Sequence, residues 1–163
     1  MQAVREKYEK KHPSSEWRYE LRIRYFISDL RDLHEKDTVT FHYLYDQVKD
    51  EYLSKELTGL AQDKAIQICC LALRHYFINL QDAALDKKSN FDYIEKEIGL
   101  HKFLPAPTLS STKRKALRKV IQSNFKKYVS LSDKECMIQF LDAVRTVLRY
   151  DQEKFRCALG TPG

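Results

Sequence analysis

Glycine and proline are scarce in this 163-residue chain, with four of each, and its apolar runs are short. That scarcity, together with 43% apolar and 32% charged residues, excludes collagen-like, low-complexity and disordered classes. The densest apolar cluster, Ile66 to Leu73, is interrupted by Gln67 and falls far short of the roughly 18 residues a membrane-spanning helix needs. The N-terminus is charged from Arg5 onward and has no apolar stretch of the kind a secretory signal carries, so a cytosolic chain is expected. No Cys-x-x-Cys pair is present. The four cysteines, at 69, 70, 136 and 157, fall within apolar-periodic segments and read as reduced core thiols. The five histidines, at 12, 34, 42, 75 and 101, are never four apart on one helix face, so no metal or other cofactor is expected. Also missing are a Gly-rich phosphate loop, a Gly-x-Ser-x-Gly elbow and any Cys and His set with triad logic, so no residue is assigned a catalytic role.

What is present begins with periodicity. Trp17, Tyr19, Leu21, Ile23 and Tyr25 alternate with polar and charged residues over 17 to 26, the period of a half-buried strand. A lone strand is unstable without partners. From there to residue 150 the pattern is helical, and Phe155 to Leu159 looks like the opening of another strand, which suggests a middle piece of a longer protein. Phe41, Leu44, Tyr45, Val48 and Tyr52 share one helix face behind an Asp37-Thr38 start. Ile66, Cys69, Cys70, Leu73, Phe77 and Leu80 form a longer stripe. Ser89-Asn90 predicts the cap of a short helix with Phe91, Ile94 and Ile98, stopped by Gly99. Pro105 and Pro107 are expected to break the chain. Leu117, Val120, Ile121 and Tyr128 mark the next helix, and the capping box Ser132-x-x-Glu135 opens the last, with Met137, Phe140, Leu141, Val144 and Leu148. The fold expected is a mostly α, compact bundle of five helices flanked by single strands.

The charge is uneven. Residues 98 to 132 hold no Asp or Glu and eight basic residues, leaving 21 basic and 23 acidic residues elsewhere, so the net charge of +6 is local. On a helical wheel Lys115, Arg118, Lys119 and Lys126 lie opposite Leu117, Val120, Ile121 and Tyr128, with Lys113 and Arg114 at the helix start. Cations at a helix N-terminus oppose the macrodipole and repel one another at i, i+4, so stability does not account for them. A solvated face normally mixes signs, so this one reads as a surface for an anion. Acidic lipid and nucleic acid are the two obvious partners. Nucleic acid is disfavoured because only Gln122 on that face could read bases. A second candidate surface is apolar: Phe77, Ile78 and Leu80, followed by Phe91, Tyr93 and Ile94. By spacing alone it reads more readily as core than as a partner pocket.

Three stretches then carry a family likeness: Val4-Arg5-Glu6-Lys7-Tyr8-Glu9 with His12-Pro13; Glu16-Trp17-Arg18-Tyr19-Glu20-Leu21-Arg22-Ile23-Arg24-Tyr25; and Ala84-Leu85-Asp86-Lys87-Lys88-Ser89-Asn90-Phe91 with Glu95-Lys96-Glu97-Ile98-Gly99-Leu100. Leu117-Arg118-Lys119-Val120-Ile121-Gln122 and Phe155-Arg156-Cys157-Ala158-Leu159-Gly160 follow in the same order. Together they resemble the FERM domain of focal adhesion kinases. The resemblance implies that residues 1–27 end a first lobe, residues 28–150 form an all-helical central lobe similar in fold to acyl-CoA-binding proteins, and residues 151–163 begin a third. It implies a non-catalytic regulatory role in a non-receptor tyrosine kinase. Phe77, Leu80, Tyr93 and Ile94 match a pocket that docks on the kinase C-lobe of the same protein for autoinhibition. Lys113, Lys115, Arg118 and Lys119, with Arg114 adding a charge, match a basic patch for phosphatidylinositol bisphosphate. The partners implied are that kinase domain, the lipid and the other FERM lobes. The place implied is the cytoplasm, at the inner plasma membrane of cell adhesions, with entry to the nucleus also known in the family. The alternatives are a nucleic-acid-binding or an acyl-ligand-binding helical bundle.

Overall fold

The computed structural model describes residues 21–24, 27–79 and 84–152, with positions 6, 10, 11, 14, 16 and 155. The expected helical bundle is there, with seven α-helices among the described residues from 30 onward. They are α1 (Leu30–Lys36), α2 (Thr38–Ser54), α3 (Gln62–Tyr76), α4 (Lys88–Tyr93), α5 (Ala106–Ser111), α6 (Arg114–Phe125) and α7 (Asp133–Arg145).

Caps set several of these boundaries. The Asp29 carboxylate accepts from the Arg31 and Asp32 amides, Asp37 accepts from Thr40, and the Ser132 hydroxyl accepts from Glu135. Hydrogen bonds from the Thr40 side chain and amide hold the Asp37 carboxyl below its ordinary range. Glu135 takes a bidentate grip on Arg31, at 2.9 and 2.8 Å, tying α1 to α7.

Five helices depart from the pattern read along the chain. α1 is a seven-residue helix, too short for its Leu30 and Leu33 to show a period. Pro105 and Pro107 do not break the chain. Pro105 caps α5 and Pro107 lies in its first turn, where a missing amide costs nothing. α4 starts behind Lys87 with no side-chain cap, so Ser89 and Asn90 lie inside it. It runs into a π-helical turn, Ile94–Ile98, which Gly99 ends at φ 91°; a side chain there would run into the His101 ring. α3 stops at Tyr76 and α7 at Arg145, both short of the stripes that suggested them.

The core is built around α3, whose residues 65, 66 and 68–73 are all buried. A helix buried on nearly every side must be surrounded, and α3 packs against α6 and α7 while α2 covers the other flank of α7. Phe140 of α7 is the aromatic centre of that contact, with ring centroids 4.8 Å from Tyr45 and 6.4 Å from Tyr52 of α2. Cys69, Cys70 and Cys136 are free and buried, as expected, while Cys157 lies outside the described residues. Burial pushes the Cys70 thiol up to about 12 and the Cys136 thiol up to about 11. A raised thiol value means that the unfolded chain loses its proton first. The associated stability is therefore complete below about pH 9 and is lost as pH rises toward the folded values. Thermal unfolding between pH 7 and 11 is expected to show a level melting temperature up to about pH 9 and a falling one above it. A level profile throughout would mean that the thiols are not buried in solution.

Of the alternating segment, only Leu21, Arg22, Ile23 and Arg24 are described, and they belong to neither strand nor helix. Trp17, Tyr19 and Tyr25 lie outside the described residues, as does the suggested last strand apart from Phe155. Leu21 is 100% exposed. Ile23 is half-buried, and a single side chain stands in for a neighbouring strand: the Ile23 amide donates to Gln47 Oε1 at 2.8 Å, and its carbonyl accepts from Gln47 Nε2 at 3.1 Å.

Candidate functional site

α6 carries the basic patch. Its Leu117, Ile121 and Phe125 are buried, which fixes the rotation of the helix and sends the remaining side chains to two flanks. Along one flank a row at i, i+4 spacing faces the segment from 85 to 95. Arg114 grips Glu95 bidentately, with Nε to Oε1 at 3.1 Å and Nη2 to Oε2 at 2.8 Å. Arg118 donates to Asp92 Oδ1 at 2.9 Å and to the Lys88 carbonyl at 3.0 Å, and its guanidinium carbon lies 4.7 Å from the centroid of the Phe91 ring. Gln122 donates to the Leu85 carbonyl at 2.6 Å, and Lys126 pairs with Asp86 at 2.8 Å. The row is a seam that closes α4 and the preceding 3₁₀ turn (Ala84–Asp86) onto α6.

The other side of α6 is different. Lys113, at the N-cap, and Lys115 and Lys119, one turn apart, are exposed and have no ion-pair partner among the described residues. The five cations read from the sequence as one patch therefore separate into free lysines and seam arginines. Hydrogen bonding to Glu95, and then its charge, raise the Arg114 guanidinium above its ordinary value, the mark of a cation already satisfied. Asp92 and Glu95 escaped the charge count because they precede the acid-free stretch. Their i, i+3 spacing, matched to arginines at i, i+4, was the available signal. The same seam absorbs Gln122, the base-reading group noted on the outward face of that helix.

The apolar surface also separates. Phe77 is half-buried at the end of α3 with its ring 4.7 Å from Tyr76, and no ring contact joins it to Tyr93. Tyr93 is 54% exposed, whereas Ile94 is 1% exposed and belongs to the core. Leu80 lies outside the described residues. Ile94 thus presents nothing to a partner in this structure. A cleft of about 870 Å3 that periodicity did not reveal runs between residues 21–24 and the outer face of α2, where Val39 and Tyr43 are exposed.

No cluster of three His, Cys, Asp or Glu side chains suited to a metal occurs among the described residues, and no helix there is long and apolar enough to cross a membrane.

Over 146 residues the chain is 24% identical to a nematode protein, the inactive tyrosine-protein kinase kin-32 of Caenorhabditis elegans, covering 89% of this chain and 17% of that protein. The chain therefore spans about a sixth of the length of that relative. Two structures of the MyTH4-FERM MF2 domain of myosin VII from Dictyostelium discoideum, one of them a mutant, superpose with TM-scores of 0.67 at 18% identity. They cover 88% of this chain and 29% and 28% of theirs, which establishes a shared fold. The FERM central domain model matches residues 31–155 and the FERM N-terminal domain model residues 1–27, so the chain belongs to the FERM family.

Proposed function

We propose that this is a regulatory scaffold lobe of a focal-adhesion-type tyrosine kinase, which attaches to phosphatidylinositol bisphosphate membranes through α6 and docks on the kinase domain of the same protein. The observation that carries the membrane half is the exposure of Lys113, Lys115 and Lys119 without carboxylate partners among the described residues, on a helix whose apolar face is already buried. Each such cation near an anionic leaflet contributes about 1 kcal/mol, enough for reversible attachment at the cytoplasmic face. The likeness to a tyrosine-kinase relative over 89% of the chain supports the kinase half. Exposed Tyr93 and half-buried Phe77 are the separate apolar side chains offered to that half, and the other FERM lobes are further partners. A nucleic-acid role is weakened by the engagement of Gln122. An acyl-ligand role needs a cavity inside the bundle, where Ile68, Cys70, Leu71 and Ile121 are instead fully packed.

The test is co-sedimentation with phosphatidylcholine vesicles with and without phosphatidylinositol bisphosphate, at two salt concentrations. Lys113→Ala, Lys115→Ala and Lys119→Ala together are expected to remove most of the binding with an unchanged melting temperature, since these side chains are exposed. Arg118→Ala is expected instead to lower stability, by about 1–2 kcal/mol, because it loses a charged hydrogen bond and a cation–π contact. Equal lipid binding by wild type and the triple variant would remove the membrane reading.

A further inference from the structure

We infer that Asp92 and Glu95 act as a built-in competitor for the anionic lipid headgroup, occupying Arg114 and Arg118 so that the membrane is met by the three free lysines alone. The inference rests on the membrane reading above and names how that same site is restrained. Both carboxylates hold their arginines within 2.8–3.1 Å, in geometries a phosphate monoester would otherwise satisfy: a bidentate fork at Arg114 and a single strong bond at Arg118. The Glu95 side chain is 7% exposed, so its contacts lie within the protein, on Arg114 above all. Arg114 is by contrast 69% exposed at the helix start, within reach of a surface that also meets Lys113 and Lys115. Each pair sums to zero charge at contact distance, so the arginines add almost nothing to the field seen by an approaching leaflet. Removing the carboxylate charges restores two cations to that field, and the one amide oxygen left at each position still accepts one hydrogen bond from its arginine.

The experiment measures binding of the whole chain to phosphatidylcholine vesicles containing phosphatidylinositol bisphosphate, for wild type and matched variants. Asp92→Asn with Glu95→Gln is expected to bind about tenfold more tightly than wild type. The control is Asp46→Asn with Asp50→Asn, which makes the same change in net charge at two exposed α2 carboxylates that have no ion pair among the described residues. It is expected to shift affinity by less than about twofold, since exposed charges are screened over about 8 Å at physiological ionic strength. Adding Arg114→Ala and Arg118→Ala to the first variant is expected to cancel its gain. Equal gains in the two carboxylate variants, or a gain that survives loss of both arginines, would overturn the inference while leaving the membrane reading intact. No binding by wild type at low salt would overturn the membrane reading itself. Should the double variant melt early, Glu95→Gln alone carries the test through the exposed Arg114, with an expected gain of about threefold. No gain there refutes the competitor role.

Discussion

Phe140→Ala is expected to lower the stability of this lobe by about 3–5 kcal/mol, the usual cost of emptying a fully buried aromatic site. Phe140 is 1% exposed, and its ring is the shared neighbour of Tyr45 and Tyr52, so its loss opens the contact between α2 and α7 on which the position of α3 depends. For a chain of this size the melting temperature should fall by about 10 °C or more. Phe140→Leu, which keeps much of the volume, is expected to cost about a third as much. Urea unfolding followed by helical circular dichroism measures both. A Phe140→Ala loss below about 1 kcal/mol would show that α7 is not packed on α2 as described.

Ile94→Asp is expected to have an effect of similar size for a different reason. Ile94 is 1% exposed at the head of the π turn, so the substitution buries an unpaired carboxylate, at a cost of several kcal/mol. Any weakening of kinase docking in that variant would report unfolding of the segment from 88 to 98. Tyr93→Glu, one residue earlier and 54% exposed, separates the two effects. It is expected to leave the melting temperature within about 1 °C of wild type, as exposed substitutions do. If the docking reading holds, it should weaken association with an isolated kinase domain of the same protein at least tenfold, because a charge in a desolvated apolar contact is costly. Normal docking by Tyr93→Glu would remove Tyr93 from the kinase-facing surface. A stable Ile94→Asp protein would instead place Ile94 at that surface.

Sequence periodicity determined the long elements by itself. The stripe of Phe41, Leu44, Tyr45, Val48 and Tyr52 is a single face of α2, and every one of those residues is buried. Asp37, Ser132 and Gly99 act where they were read, because capping and positive φ are local chemistry, legible without a fold. The rotation of α6 was legible too, since Leu117, Ile121 and Phe125 had to face inward. Only the tertiary structure decided what each cation of that helix does. A hydrophobic stripe says which side is outward, but not which carboxylate from a segment 19 to 26 residues away will lie against it. Arg114 and Arg118 became parts of a seam because α4 folds back along α6, while Lys113, Lys115 and Lys119 remained free on the same helix. Ile94 and Tyr93 divide for the same reason. Adjacent residues on a helix point about 100° apart, and only the packing of the π turn against its neighbours determines which of the two becomes core.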